Sequence, residues 1–135
     1  MLKQALFFLK FRPRSEAEVK KYLAKKGAGG AQINEVIEKL KRLKFINDEE
    51  FIGFWLRRRE ARPRASRVIK LELAKLGVDR ELVDRVLGDQ KQADRQRAGQ
   101  LAEKLRGKER EKVISALARR GFDWDAIKAA IDGGR

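Results

Sequence analysis

Apolar residues recur at spacings of three and four along almost the whole chain and nowhere alternate, so the pattern predicts helices and no strand. One apolar row is Leu2, Leu6 and Leu9, with Ala5 and Phe8 beside it. A second is Phe51, Trp55 and Leu56, beginning after Asn47-Asp48-Glu49-Glu50. A third is Ala98, Leu101, Ala102 and Leu105, on a helix from about Gln90 to Arg106. Between these rows the pattern repeats. Leu23, Leu73 and Leu117 match, as do Val19, Ile69 and Val113. Further on, Ile37, Leu87 and Ile131 match, with Ile33, Val83 and Ile127 alongside to within one residue. Each set falls on one helical stripe.

The punctuation repeats as well. Arg12-Pro13-Arg14-Ser15 returns as Arg62-Pro63-Arg64-Ala65, and three helix ends carry Leu-Ala-Lys/Arg-X-Gly, closing at Gly27, Gly77 and Gly121. A glycine just past a helix supplies the positive φ that any Cβ penalises, and basic residues before it meet the negative end of the helix dipole. Asp79 is placed to cap a helix over Arg80 to Leu87, and Asp123 one over Trp124 to Ile131. Ser15 to Glu18 and Asn47 to Glu50 have capping-box spacing. Helices over about Gln32 to Leu43 and Arg64 to Leu76 complete the set. The expected fold is all-α: three three-helix units, at 1–44, 45–88 and 89–135, repeated in tandem as an elongated, curved array. The tail Gly133-Gly134-Arg135 is expected to fray. Gly99 lies inside the third unit's first helix, where it costs about 1 kcal/mol against alanine unless it permits close packing.

Hydrophobic residues, 42% of 135, suffice for a core, while 40% charged residues call for a large surface or a charged partner. Net charge is +14, which favours polyanions or an acidic protein face. It is concentrated in residues 1–44, where twelve basic residues face four acidic ones. With no Cys and no His, disulfides, thiolate chemistry, ordinary zinc sites and histidine acid–base catalysis are excluded. Gly27, Gly29 and Gly30 lack the Lys-Ser/Thr of a phosphate-binding P-loop. Asp48, Glu49 and Glu50 read as first-turn carboxylates favoured by the dipole rather than as a catalytic cluster. The run Ala5 to Leu9 is too short for a membrane span or signal peptide. A cytoplasmic, monomeric, non-enzymatic protein without cofactor or metal is expected.

Two basic clusters stand out. Arg57, Arg58, Arg59, Arg62, Arg64 and Arg67 form the denser, with Arg58 and Arg62 one turn apart if they share a helix. Guanidinium forks there suit phosphates or an acidic protein face; the plain alternative is a solvated surface with Glu60 and Glu72 as local partners. The second cluster contains Lys10, Arg12, Arg14, Lys20, Lys21, Lys25 and Lys26, of which Arg12, Arg14, Lys21 and Lys25 are the candidates for contacts. Trp55 and Trp124 read as core residues, Trp124 partly exposed just after its cap. One of Phe7, Phe8 and Phe11 is expected at the surface.

In order along the chain, Arg14-Ser15-Glu16-Ala17-Glu18 with Leu23 and Gly27, then Phe45-Ile46-Asn47-Asp48-Glu49-Glu50-Phe51, then Arg57 to Arg59 and Arg62-Pro63-Arg64 make a distinctive series. Glu72-Leu73, Gly77-Val78-Asp79 and Arg119-Arg120-Gly121-Phe122 follow. Together they resemble the RecX family of regulatory proteins over essentially the whole sequence. Ala65 stands where family members usually have glycine. The resemblance implies three tandem three-helix units and binding in the groove of the RecA–DNA filament. It also implies inhibition of recombinase and ATPase activity without catalysis, and in some members DNA binding. The competing reading is a basic helical DNA- or RNA-binding protein with no RecA role.

Overall fold

The computed structural model describes residues 1–133, so of the tail expected to fray only Gly133 lies within the described residues. Those residues form nine helices: α1 Leu2–Leu9, α2 Glu16–Lys25, α3 Gly30–Arg42, α4 Asp48–Arg58, α5 Ser66–Lys75, α6 Arg80–Leu87, α7 Lys91–Lys104, α8 Arg110–Arg119 and α9 Trp124–Asp132. They fall in chain order into three triplets. Helices this short are marginal alone and hold their shape through packing and satisfied ends.

The ends are built as the glycines and caps predict. After α2 the Gly27 and Ala28 amides donate to the Ala24 and Leu23 carbonyls; after α5 Gly77 and Val78 donate to Ala74 and Leu73; after α8 Gly121 and Phe122 donate to Ala118 and Leu117. These are Schellman closures, with φ of 94°, 80° and 92° at the glycines. Lys44 closes α3 the same way at φ 62°, the one non-glycine with positive φ among the described residues. Ser15 and Glu18 form the full capping box of α2, Asp79 accepts from the Leu82 amide and Asp123 from the Ala126 amide. Asn47 accepts from the Glu49 and Glu50 amides.

The described chain divides into two compact bodies. The first contains Met1–Trp55 and Leu73–Val86. Its core gathers Ala5, Val19, Leu23, Ile37, Leu40 and Ile46, with Leu2, Leu6, Leu9 and Tyr22 packed against them. The second contains Leu56–Glu72 and the chain from Leu87 onward. There Ala98, Leu101, Leu117, Phe122, Ile127 and Ala130 form the core, with α7 lying along α9. The repeated leucines Leu23, Leu73 and Leu117 are all fully buried. Trp124, read as a core residue partly exposed after its cap, is 56% exposed: it is the first residue of α9, and the face that α9 buries carries Ala126, Ile127 and Ala130.

Each body is organised around the N-terminus of one helix. In the first body the Glu16 amide of α2 donates to Asp48 Oδ1 on α4 (2.9 Å), and Ser15 Oγ donates to the Leu76 carbonyl at the end of α5 (2.6 Å). Gly77 lies so close to Ala17 that any Cβ on it would collide. In the second body the Ser66 amide and hydroxyl of α5 donate to Asp94 on α7 (2.9 and 2.6 Å). The Ala65 amide donates to the Arg120 carbonyl at the end of α8 (3.0 Å), and a Cβ on Gly121 would collide with Val68. Asp48, read from sequence as a first-turn carboxylate of its own helix, therefore also caps a helix far upstream.

The two carboxylates next to the first junction respond in opposite directions. Burial raises the Asp48 carboxyl above its ordinary pKa, against the lowering effect of the Glu16 amide bond. Burial also raises Glu16, but hydrogen bonds from Lys41 (2.6 Å) and Lys20 (3.0 Å) outweigh it and leave Glu16 lowered. A raised carboxyl binds its proton more tightly folded than unfolded, so Asp48 weakens the fold at neutral pH and ceases to do so once protonated. Glu16 contributes stability that is present at neutral pH and is lost as pH falls through its depressed pKa.

Two outcomes follow. Gly27→Ala, whose Cβ would meet nothing, should cost about 1 kcal/mol for the positive φ alone. Gly77→Ala and Gly121→Ala should lose roughly 1–3 kcal/mol more through overpacking; urea denaturation of the three variants measures the order, and equal losses would refute the close contact. Asp48→Asn retains an acceptor for the Glu16 amide and should be at least as stable as the parent at pH 7. That advantage should vanish below about pH 4, where the parent's aspartate is protonated. Denaturation at the two pH values checks it, and a deficit confined to pH 7 would contradict it.

Candidate functional site

The arginine cluster is split by the end of α4 at Arg58. Arg58 and Arg62 consequently do not share a helix, because the chain turns at Arg59 and runs as a loop through buried Pro63 into α5. Arg59 is half-buried and forks onto Glu72, with Nε 2.9 Å from Oε1 and a second contact from Nη2 to Oε2. Arg64 is held by its own loop, donating to the Pro63 carbonyl (3.1 Å). Burial lowers the Arg64 pKa, and the neighbouring charges of Arg59, Arg120 and Arg62 lower it further, with Glu72 opposing. Arg67 is largely exposed and donates through Nε to the Gly121 carbonyl (2.7 Å). Arg57, Arg58 and Arg62 are exposed, and neither Arg57 nor Arg62 has an ion pair among the described residues.

Arg120 was not a candidate from sequence. It precedes a helix-ending glycine, a position already explained by the helix dipole. Its Nη1 caps the Ala116 carbonyl (3.0 Å), and the fold brings its charge to Arg64. The position is basic in two of the three repeats, Lys26 and Arg120, with Leu76 in the third, so the recurrence gave no signal for it.

In the first body Arg12 and Arg14 are occupied by the fold. Arg12 forks onto Glu18 (2.6 and 3.3 Å), its guanidinium 5.9 Å from the ring centres of both Phe51 and Trp55. Arg14 lies 4.0 Å over Phe8, which stacks on Tyr22 at 4.1 Å. Burial, then the charge of Arg12, lowers the Arg14 pKa, while Glu18 raises it. Lys21 and Lys25 differ: both are exposed on α2 and share a groove with Lys75 of α5, walled by Phe8, Tyr22 and Leu76. None of the three lysines has an ion pair among the described residues. Glu18, the groove's acid, is engaged by Arg12. Lys75 was also missed in sequence, for the same reason as Arg120. Phe7 and Phe11 are exposed and meet edge to face at 5.1 Å, while Phe8 is half-buried.

Among the described residues no group of three or more His, Cys, Asp or Glu is placed to hold a metal ion, and no helix is long and apolar enough to cross a membrane.

Three family models match in order: "RecX, first three-helix domain" over residues 2–40, the second over 47–87 and the third over 91–131. Regulatory protein RecX of Geobacillus kaustophilus (strain HTA426) is 34% identical, the match covering 97% of this chain and 53% of the relative. Its counterpart in Mycolicibacterium smegmatis is 33% identical, covering 87% and 70%. The chain spans about half the length of the Geobacillus relatives it matches. The crystal structure of RecX from Lactobacillus salivarius superposes with a TM-score of 0.77 at 25% identity, covering 98% of this chain and 93% of that one. With all three domain models matched in succession and a helical fold shared with a solved relative, this chain belongs to the RecX family of regulatory proteins.

Proposed function

We propose that the protein binds the RecA–DNA filament and restrains its recombinase and ATPase activities by occupying surface, without catalysing a reaction. Family membership supports a regulatory role. The observation that carries the reading further is the pair of exposed arginines at the α4–α5 turn, Arg57 and Arg62, neither with an ion pair among the described residues. Exposed guanidinium groups left without acids suit the phosphates of filament DNA or an acidic face of the recombinase. Arg59 and Arg67, tied to Glu72 and Gly121, shape this surface.

A second reading, direct DNA or RNA binding without a recombinase, is favoured by the groove of Lys21, Lys25 and Lys75. Three unpaired ammonium groups bind a phosphate backbone without reading its sequence.

ATP hydrolysis by RecA on saturating single-stranded DNA, titrated with this protein, separates the two. Loss of hydrolysis at substoichiometric protein supports filament regulation. No effect at excess, with tight binding to bare DNA, supports the second reading. Arg57→Glu with Arg62→Glu should weaken filament binding at least tenfold and leave thermal stability unchanged, because both side chains are exposed. Filament affinity equal to the parent's would remove this surface from the interface. Lys21→Gln, Lys25→Gln and Lys75→Gln together should lower the slope of log affinity against log salt for single-stranded DNA by about 2; an unchanged slope would show that the groove does not touch phosphate.

A further inference from the structure

Among the described residues no packing contact accounts for Gly99. Glycine in a helix interior is unfavourable relative to alanine, and it persists where something must approach the backbone closely. The residues α7 buries against the core are Ala98 and Leu101; Gly99, between them in sequence, is turned away. A Cβ built on it would meet nothing within 4 Å. The packing of the described residues therefore does not require the missing side chain.

What lies above Gly99 is a cleft of ≈ 620 Å³, a volume typical of sites that take a ligand. Its floor is apolar: Gly99, Ala102, Leu105, Val113, Ala130 and Ile131, from α7 and its C-cap, α8 and α9. Its rim is basic, with Arg95, Arg106, Lys108 and Arg110. Arg95 and Lys108 have no ion pair among the described residues. Arg106 meets only Glu103, in an exposed pair one turn apart, and Arg110 is 3.9 Å from Asp132. Pairs exposed in this way are easily exchanged for another partner.

We infer that this cleft is a docking site for an acidic amphipathic helix of another protein. The occupant's apolar stripe lies against the small residues of the floor, with its backbone close to α7 at Gly99, and its carboxylates meet the rim. Small residues permit a helix to come close, and an apolar stripe on a groove is a recurring mode of helix recognition. The rim, with four cations against Glu103 and Asp132, selects the sign of the partner. The inference is independent of the filament reading, since it concerns a different surface and needs no nucleic acid.

The test uses the full chain and a labelled synthetic helical peptide with a leucine stripe and glutamate elsewhere, followed by fluorescence anisotropy at physiological salt. Two control peptides carry lysine for glutamate or alanine for leucine. The acidic leucine peptide should bind, and neither control should. Gly99→Leu should weaken binding at least tenfold by filling the floor. It should melt no lower than the parent, because leucine favours the helix and its Cβ would meet nothing within 4 Å. Arg95→Glu with Lys108→Glu should weaken binding to a similar degree. Absence of binding by the parent, equal binding of the alanine peptide, or full affinity in Gly99→Leu would each overturn the inference. Because RecA is absent from the assay, such a failure leaves filament regulation standing, and a failure of filament regulation leaves this result intact.

Discussion

The structure depends on how the N-terminus of a second helix is held. The first amides of any helix lack intrahelical acceptors, and when they are partly buried something must accept from them. In α2 and again in α5, one acceptor is an aspartate from the first helix of the next triplet, Asp48 or Asp94. The chain just before each helix is bonded to the C-terminal end of the next triplet's second helix, through Leu76 or Arg120. That end can come close only because a glycine closes it: Gly77 touches Ala17, and Gly121 touches Val68. One glycine thus meets two demands, a positive φ for its own helix and the absence of a Cβ for its neighbour. Gly27 meets only the first, with open space where its Cβ would be. The two compact bodies are two instances of this arrangement, and α5 serves both, with its C-terminal end in one and its N-terminal end in the other.

This explains which parts of the fold could be read from sequence. Helix stripes, Schellman glycines and the caps by Ser15, Asp79 and Asp123 are local, set by residues within one turn of each other. They leave a periodic trace, and the helices stand close to where that trace puts them. The junctions are not local. Asp48 meets an amide 32 positions away and Asp94 one 28 away, and each aspartate already has a sufficient local explanation in the first turn of its own helix. Arg120 and Lys75 were obscured likewise, since a basic residue before a terminal glycine is accounted for by the dipole. Trp124, read as a core residue partly exposed after its cap, is the more exposed because its place at the start of α9 leaves the core to smaller residues. Arg62 misled because spacing of four implies a shared face only while the helix continues, and α4 stops at Arg58.

The junctions also determine which charges face outward. The partly buried acids are largely engaged inside the fold: Asp48 and Asp94 with amides, Glu18 with Arg12, Glu72 with Arg59, and Glu16 between Lys20 and Lys41. Each acid engaged internally leaves the surface less able to balance its own cations. Arg12 and Arg59, though prominent in the sequence as basic residues, are neutralised by this bonding. Lys21, Lys25, Lys75, Arg57 and Arg62 have no ion pair among the described residues. The +14 charge is therefore a poor guide to where a polyanion would bind, and the better guide is which cations the fold leaves without an acid.

The same reasoning separates structural from surplus features in the third triplet. Gly121 has a neighbour that accounts for its missing side chain, and Gly99 does not. Arg97 forms an ion pair with Asp94 at the second junction (2.8 Å), whereas Arg95, two residues earlier on the same helix, has no ion pair among the described residues. A helix that carries its junction residues on one face and an unexplained glycine beside unpaired arginine on another has two separate constraints acting on it. The first is met within the chain, by Ser66 and the core around Ala98 and Leu101. The second is the one the proposed docking helix would meet, because among the described residues no atom comes within 4 Å of where a Cβ on Gly99 would stand.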